Sequence, residues 1–194
     1  NFLKKKKIKK DTKKNLVYID QFLHAHPDLV INGLQVVKKR NFSTEIKFFF
    51  SILEKKGFKI NIALHPKNNS KNLLEVYGNR KFFKNKTFDL IQKSSGVISH
   101  DSTAVSFAVL AKRPIIFLTT NELQNTVFGD RIVAHAKFFN SLPINISNKN
   151  IDENEIQFPK ISMRIFHEYE KKFLKHDLYK NNTRFKQEFL KLIL

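Results

Sequence analysis

Four short apolar runs recur along the first two thirds of the chain. Each is rich in Val, Ile, Leu or Phe and is bounded by polar or turn-forming residues, a pattern typical of buried strands. The runs occupy residues 16–19, 58–64, 96–99 and 115–118. Two weaker segments, at 73–77 and 143–146, predict a further short strand and an edge strand.

Helical patterns lie between these runs. Residues 44–56 carry apolar side chains at i, i+3, i+4 and i+7, which predicts an amphipathic helix with Ser43 as N-cap and Gly57 just beyond its end. The four apolar positions are Ile46, Phe49, Phe50 and Leu53. Further helices are predicted at residues 88–93, 102–112 and 130–139. Since strands alternate with helices, we predict an α/β fold: a Rossmann-like, mostly parallel sheet with helices on both faces, followed by C-terminal helices.

The polarity of the chain changes at three places, which divide it into four segments. Residues 1–14 are predicted to be a basic flexible segment, and residues 15–147 a Rossmann-like domain. The polar stretch 148–163 is predicted to be a linker, and residues 164–194 to form C-terminal helices.

The chain is strongly basic, with 36 Lys and Arg against 17 Asp and Glu and a formal charge of +19 over 194 residues. Residues 1–14 hold eight of the Lys and one Asp, a block that is either a solvated segment or a contact with an anionic membrane surface. We expect no nucleic-acid partner, because the chain lacks an aromatic RNA-binding motif and zinc-finger spacing, and because Lys greatly outnumbers Arg, the better reader of bases.

Two further features of composition narrow the function. The absence of Cys excludes a disulfide scaffold, an iron–sulfur site and a thiol nucleophile. No apolar run reaches the length of a membrane-spanning helix. We therefore expect a cytoplasmic protein, with peripheral contact at the inner face of the plasma membrane as a further possibility.

Two polar clusters follow predicted strands, and ligands of an open parallel sheet bind at the carboxyl ends of its strands. The first cluster is His65-Pro66-Lys67 and the second is residues 99–103, with Ser102 and Thr103 leading into a helix. Hydroxyls and backbone N–H groups at a helix start favour a phosphate. An imidazole can hydrogen-bond the same phosphate or protonate it as it leaves.

Each cluster also has a purely structural interpretation. Ser102 and Thr103 are suitable helix caps, and His65 is suitable as a loop histidine bonded to backbone. The order of the two clusters along the chain, each after a strand, favours the functional interpretation. Three residues after the first strand, Asp20, His24 and His26, are expected to face the same cleft. We predict no metal site there, because spacing fixes no third ligand, and no cofactor.

The stretches INIALHPK and FDLIQKSSGVISHDSTAVSFAVLAKRPIIFLT carry a family resemblance. They resemble the C-terminal, donor-binding domain of bacterial GT-B-type glycosyltransferases of surface polysaccharides that have an HP motif and a downstream SS or ST motif. The groups concerned are sialyltransferases, Kdo transferases and CDP-glycerol glycerophosphotransferases. The resemblance covers residues 58–120 well, and residues 15–57 in layout only.

The resemblance implies roles for individual residues. His65 matches the HP histidine, which contacts the donor phosphate and assists its departure. Ser102 and Thr103 match the hydroxyls that hold that phosphate, with His100 and Asp101 beside them. The implied reaction is inverting transfer of a sugar from a nucleotide-linked donor, with a CMP-linked acidic sugar favoured over a CDP-linked one, in the assembly of bacterial surface polysaccharide or lipooligosaccharide.

Such enzymes hold a saccharide or lipid-linked acceptor, and usually the general base, on an N-terminal domain. No such domain fits before residue 16, so the chain is expected to need that domain or a partner chain that supplies it. Three alternatives stay open: a CDP-polyol phosphotransferase, a non-catalytic module that binds a nucleotide or a partner, and a basic adaptor for a membrane surface or a nucleic acid.

Overall fold

Six parallel strands form the centre of the computed structural model, in the order β3-β2-β1-β4-β5-β6. The structure describes residues 14–26, 31–33, 36–69, 71–154 and 156–174. The strands are β1 (Asn15–Ile19), β2 (Lys59–Leu64), β3 (Lys81–Lys84), β4 (Gly96–Ser99), β5 (Ile115–Thr119) and β6 (Ile144–Asn145). This is the Rossmann-like α/β fold predicted from the sequence, with every strand pair parallel.

The helices follow the strands in the order expected of a parallel sheet. They are α1 (Lys39–Lys55), α2 (Leu73–Tyr77), α3 (Thr87–Gln92), α4 (Val105–Leu110), α5 (Asn121–Gln124), α6 (Val127–Phe138) and α7 (Met163–Tyr169), which continues into a π-helical turn at Glu170–Leu174. Helix α1 packs against α2, and α3 packs against α4. Right-handed crossovers place these two pairs on opposite faces of the sheet.

The strand order reverses between β1 and β4. The chain leaves β1 toward β2 and β3 on one side, and leaves β4 toward β5 and β6 on the other. At such a switch point the loops after the two central strands diverge, which opens a crevice at their carboxyl ends. Strand register aligns the row Tyr18, Ile62 and Ile98 across β1, β2 and β4, so the residues that follow these strands emerge at the same edge.

The central strands are mostly apolar because helices cover both of their faces. All four residues of β4 and all five of β5 are buried, as are the last four of β1. The aromatic side chains of α1 complete this core, with Phe42, Phe49 and Phe50 at most 1% exposed. Continuous apolar runs are the usual signature of a parallel sheet covered on both sides.

Helix α1 begins five residues earlier than the sequence predicts. Ser43 is therefore a buried residue inside the helix and not its N-cap. The start is stabilised instead from α5, where the Glu122 carboxylate accepts from Lys38 N–H at 2.6 Å and from the Asn41 amide at 2.7 Å. A cap supplied by a residue 84 positions away leaves no local sequence signal. The other end agrees with expectation, since Gly57 follows the helix with φ of +83°.

Residues 73–77 form helix α2 and not the predicted strand. Val76 and Tyr77 are buried while Leu74 is 63% exposed, and Gly78 ends the helix with φ of +68°. A five-residue segment with two adjacent buried side chains is too short for its pattern to separate helix from strand. Strand β3, which pairs with β2, was not predicted.

The segment after β6 packs back onto the domain. Phe158 lies over Gly96, where an added Cβ atom would come within 2.5 Å of its ring, and Ile156 is 5% exposed. Helix α7 buries Ile165, Phe166 and Tyr169. The basic segment 1–13 and the second predicted C-terminal helix, in residues 175–194, lie outside the described residues. None of the helices in the described ranges is long and apolar enough to cross a membrane.

Candidate functional site

A tight turn follows β2 and carries His65. The N–H of Asn68 donates to the His65 carbonyl at 2.8 Å, which closes a four-residue turn with Pro66 at its second position. Proline is favoured there because its fixed φ matches the turn. The Asn68 side chain is buried, whereas Pro66 and Lys67 are exposed. The turn is thus anchored at its end and presents its middle to solvent.

The anchor is Asp20, which directly follows β1. Its Oδ2 accepts from the His65 N–H at 3.2 Å and from the Asn68 amide at 2.7 Å. Its Oδ1 accepts from the Phe22 N–H at 2.7 Å and from the Tyr77 hydroxyl at 2.6 Å. Asp20 is 2% exposed, so the sequence expectation that it faces the cleft is wrong. A buried carboxylate needs this many donors to offset its desolvation.

A backbone contact also selects the tautomer of the neutral His65 ring. The Lys67 N–H lies 3.2 Å from His65 Nδ1, and since a backbone N–H can only donate, Nδ1 accepts. The neutral ring therefore carries its proton on Nε2. His65 is half-buried, and the ring of His26 lies edge-on to it with centroids 4.8 Å apart. The structure thus brings His26 beside His65, and two imidazoles meet at the carboxyl end of β2.

His24 lies elsewhere. Its ring stacks on Phe42 of α1 at 6.2 Å and meets Phe22 edge-on at 5.2 Å. Burial lowers its pKa from the ordinary value, although the nearby Asp20 carboxylate opposes that shift. A histidine packed on two Phe rings with a depressed pKa is mainly neutral at pH 7. His24 therefore fixes the loop after β1 onto α1 and does not join the His26 and His65 pair.

Gln21 joins the loops on the two sides of the switch point. Its Oε1 accepts from the Asp101 N–H at 2.7 Å, and its Nε2 donates to the Asp101 carbonyl. The amide side chain therefore bonds the backbone after β4 in both directions. Asp20 and Gln21 are consecutive, so the end of β1 ties the turn after β2 to the loop after β4. No pattern in the sequence predicts this role of Gln21.

The Asp101 carboxylate points toward α6 and not toward the crevice. Arg131 Nε lies 2.6 Å from its Oδ2 and His135 Nδ1 lies 3.1 Å from its Oδ1. Asp101 is 9% exposed, whereas the Arg131 side chain is 57% exposed. A paired anion does not donate to a phosphate, so the Asp101 side chain is poorly suited to the phosphate-binding role expected of it. Because Arg131 and His135 are spaced i, i+4, both side chains lie on one face of α6, and that face meets the Asp101 carboxylate.

His100 is a core residue, which contradicts its expected place at a phosphate. It is fully buried, with Nδ1 bonded to the Leu118 carbonyl at 2.9 Å and Nε2 to the Tyr18 hydroxyl at 3.1 Å. Burial is the main cause that lowers its pKa to about 4, and it raises the pKa of Tyr18 well above the ordinary value. His100 is therefore neutral at pH 7 and both ring nitrogens are occupied inside the protein.

Ser102 and Thr103 lie at the surface of the loop after β4. Ser102 is half-buried and its hydroxyl accepts from the Ala104 N–H at 3.2 Å, while Thr103 is exposed. Helix α4 begins only at Val105, later than predicted, after a turn closed by bonds to the Ser102 and Thr103 carbonyls. Ser102 therefore does not cap the helix, whose N-cap is Ala104 without a side-chain cap bond. The Ser102 hydroxyl oxygen instead closes a turn before the helix, and its proton stays available because the oxygen acts as acceptor there.

The two loops face each other across β1. Because β2 and β4 both neighbour β1, their ends are separated by about 10 Å, twice the usual strand spacing. The gap between these strand ends is the candidate crevice: the His26 and His65 imidazoles lie at the end of β2, Ser102 and Thr103 follow β4, and Gln21 follows β1 between them. Within the described ranges, no group of three or more His, Asp or Glu side chains is placed to hold a metal ion.

Comparisons with known proteins give distant structural likenesses only. No model of a protein family matches the chain, and a search of curated proteins gives no match. One similar solved structure is the β-Kdo 2,4-transferase KpsC of Thermosulfurimonas dismutans, with 14% identity, a TM-score of 0.39 and 56% of this chain covered. Another is the glycotransferase of kitacinnamycin, with 8% identity, a TM-score of 0.39 and 80% of this chain covered.

The matched region is a third of each of those proteins, since it covers 34% of either chain. With TM-scores below 0.5, neither likeness carries an argument about the site or the reaction. The Rossmann-like fold is established by the sheet itself, through its strand order, its parallel pairing and the crevice at its switch point.

Proposed function

We propose that the chain is the donor-binding part of a glycosyltransferase that uses a nucleotide-linked sugar, with a CMP-linked acidic sugar favoured. The observation that carries the proposal is the state of His65. It follows β2, which pairs with β1, and its Nδ1 accepts from the Lys67 N–H, so its Nε2–H is a donor. The motif resemblance of residues 58–120 supports the same role.

In this proposal the donor phosphate lies across the crevice. The Nε2–H of His65 donates to one phosphate oxygen, and the hydroxyls of Ser102 and Thr103 donate to others. Donors placed where negative charge develops lower the barrier for departure of the leaving group. The acceptor hydroxyl attacks the anomeric carbon, the bond from that carbon to the phosphate oxygen breaks, and the nucleotide leaves with the bonding electrons. The neutral His65 ring stabilises this charge by hydrogen bonding and keeps its Nε2 proton, because its Nδ1 accepts from backbone and takes up no proton in exchange.

The general base is proposed to come from outside the described site. The two carboxylates that follow β1 and β4 are Asp20, which is buried under four donors, and Asp101, which is paired with α6. Neither carboxylate is placed to accept a proton from an incoming hydroxyl. This agrees with an acceptor domain, or a partner chain, that supplies the base together with a saccharide or lipid-linked acceptor. We also propose work in the cytoplasm beside an anionic membrane, where the basic segment 1–14 would contact lipid.

A thermal-shift screen with CMP, CDP, UDP and GDP tests the proposal. A ligand that binds the native state at 100 times its Kd stabilises it by about 2.7 kcal/mol, so we expect CMP to raise Tm most. His65→Ala and Ser102→Ala should each weaken that binding by about tenfold or more, because each removes a donor to a charged phosphate.

His167→Ala is the matched control, since His167 is an exposed histidine on α7. It should leave the shift by CMP unchanged. The proposal fails if no nucleotide raises Tm, or if His65→Ala and Ser102→Ala both bind CMP as the native protein does. A shift with CDP alone would favour the polyol phosphotransferase, and analysis of the products from a labelled donor would then separate transfer at phosphorus from transfer at carbon.

A further inference from the structure

The contacts of Asp20 divide between its two carboxylate oxygens. Oδ1 receives donors from the loop after β1 and from the end of α2, namely the Phe22 N–H and the Tyr77 hydroxyl. Oδ2 receives both of its donors from the turn after β2, namely the His65 N–H and the Asn68 amide. Oδ1 is therefore bonded to the loop after β1 and to α2, which we call the scaffold, whereas Oδ2 is bonded to the turn after β2.

The two bonds at Oδ2 hold both ends of the turn. His65 is its first residue and Asn68 its last, and a direct bond joins the His65 carbonyl to the Asn68 N–H at 2.8 Å. Between them lies the Lys67 N–H, the group that donates to His65 Nδ1 at 3.2 Å. The direction of this N–H depends on the turn keeping its shape, so the bond that fixes the ring depends on the anchor.

The surroundings of Asp20 hold its carboxylate firmly in place. Asp20 is 2% exposed and Tyr77 is fully buried. The pKa of Tyr77 is raised well above its ordinary value, first by burial and then by the Asp20 charge, so the phenol stays protonated and donates. A carboxylate held by two scaffold donors of 2.7 Å and 2.6 Å cannot shift without leaving them unsatisfied in the core.

We propose that Asp20 is a positioning residue that, through the turn His65-Pro66-Lys67-Asn68, holds the His65 ring in the Nε2–H tautomer and aims it at the crevice. Asp20 itself does not touch the donor. The inference rests on the proposed function for the purpose of the ring, but the tautomer can be measured without any ligand.

The test is nitrogen-15 NMR of the histidine rings of the full chain at a pH where they are neutral. Two-bond correlations distinguish Nε2–H from Nδ1–H, and His65→Ala identifies the His65 signals by their loss. In the native protein we expect His65 to be the Nε2–H tautomer. His100, whose Nδ1 faces the Leu118 carbonyl, should be the Nδ1–H tautomer and serves as an internal reference.

Two variants each remove one partner of the hydrogen bonds that join Asp20 to the turn. Asp20→Ala removes the anchor, and Asn68→Ala removes one turn donor while leaving Asp20 bonded to the scaffold. In both we expect the tautomer ratio of His65 to move toward Nδ1–H by roughly threefold to tenfold, the value of one hydrogen bond. The affinity for CMP should fall by about the same factor, whereas the affinity for cytidine, which has no phosphate, should not change.

Tyr77→Phe is the control, because it removes a donor from the scaffold oxygen only. It should lower Tm and leave the His65 signals as they are. If Asp20→Ala does not fold, Asn68→Ala decides. A native His65 tautomer in Asn68→Ala would overturn the positioning role. Failure of the native chain to bind any nucleotide would overturn the proposed function alone, since the tautomer measurement stands apart from it.

Discussion

A histidine follows the carboxyl end of β2 and another follows that of β4, and the two rings are held in opposite tautomers. His65 after β2 accepts at Nδ1 from a backbone N–H, which leaves the proton on Nε2. His100 after β4 donates from Nδ1 to a backbone carbonyl, so its Nε2 accepts from the Tyr18 hydroxyl. His65 is half-buried and His100 is fully buried. The same residue type after the two strands that flank β1 is thus half-buried beside a turn in one case and part of the core in the other.

The backbone partner of each ring makes the difference. In a turn some backbone N–H groups form no bond within the sheet. Such an N–H can donate to a histidine ring nearby, as the Lys67 N–H donates to His65. A histidine that directly follows a buried central strand instead meets a backbone carbonyl of the next strand, as His100 meets Leu118. A histidine beside a strand end is therefore informative only once its backbone partner is known.

The largest expected effect is on stability when the core histidine is removed. His100→Ala should lower the free energy of unfolding by about 3 kcal/mol, because it leaves a cavity and strands the Tyr18 hydroxyl and the Leu118 carbonyl. His65→Ala should cost about 1 kcal/mol or less, since its ring is half-buried. Urea denaturation of both variants measures the contrast. Equal losses would show that the two rings do not differ in structural role.

The pH dependence of stability should isolate His100. Its pKa is about 4 in the folded protein against an ordinary 6.5, so between these values the unfolded state binds more protons and stability falls as pH falls. From pH 7 to pH 5 the loss from this group is about 2 kcal/mol. In His100→Asn the loss should be smaller by that amount, which denaturation at both pH values would measure. An identical pH dependence in the two proteins would mean that His100 is protonated in the core without cost.

The smallest effect concerns the pairing of Asp101 with α6. Arg131→Gln should lower stability by about 1 kcal/mol, because Arg131 is 57% exposed and its pair with Asp101 is partly screened. Arg164→Gln, on the exposed side of α7, makes the same charge change without that contact and should have no effect. If Arg131→Gln instead weakens CMP binding, the β4 side of the crevice binds the donor by charge and not only by hydroxyls.

Much of the sheet was predictable because its strands are apolar on both faces. The runs at 96–99 and 115–118 coincide with β4 and nearly with β5, and the apolar spacing of Ile46, Phe49, Phe50 and Leu53 defines α1. Strand β3 was missed because its four residues are Lys81, Phe82, Phe83 and Lys84, with no residue fully buried. The start of α1 was missed because Glu122 supplies its cap from another helix.

The edge of the sheet at which His65 and Ser102 lie was predictable, but the contacts of the residues around them were not. Sequence order and strand ends located His65 and Ser102 at the same edge of the sheet. They could not show that Asp20 turns inward, since a carboxylate after a strand is equally consistent with a cleft. What distinguishes the two cases is that Asn68 and Tyr77, which lie 48 and 57 residues from Asp20 in the sequence, donate to its carboxylate beside the local Phe22 N–H.

The burial of Asp20 has a consequence for the exchange of amide hydrogens with solvent. The N–H groups of Phe22 and His65 belong to loop segments, whose amide hydrogens ordinarily exchange rapidly because the loops open locally. Here both donate to a carboxylate that is also bonded to the end of α2, so neither can open without exposing a buried charge and the core around Tyr77. These two loop amides should exchange as slowly as those of the central strands, and the turn that carries His65 therefore unfolds with the sheet rather than before it.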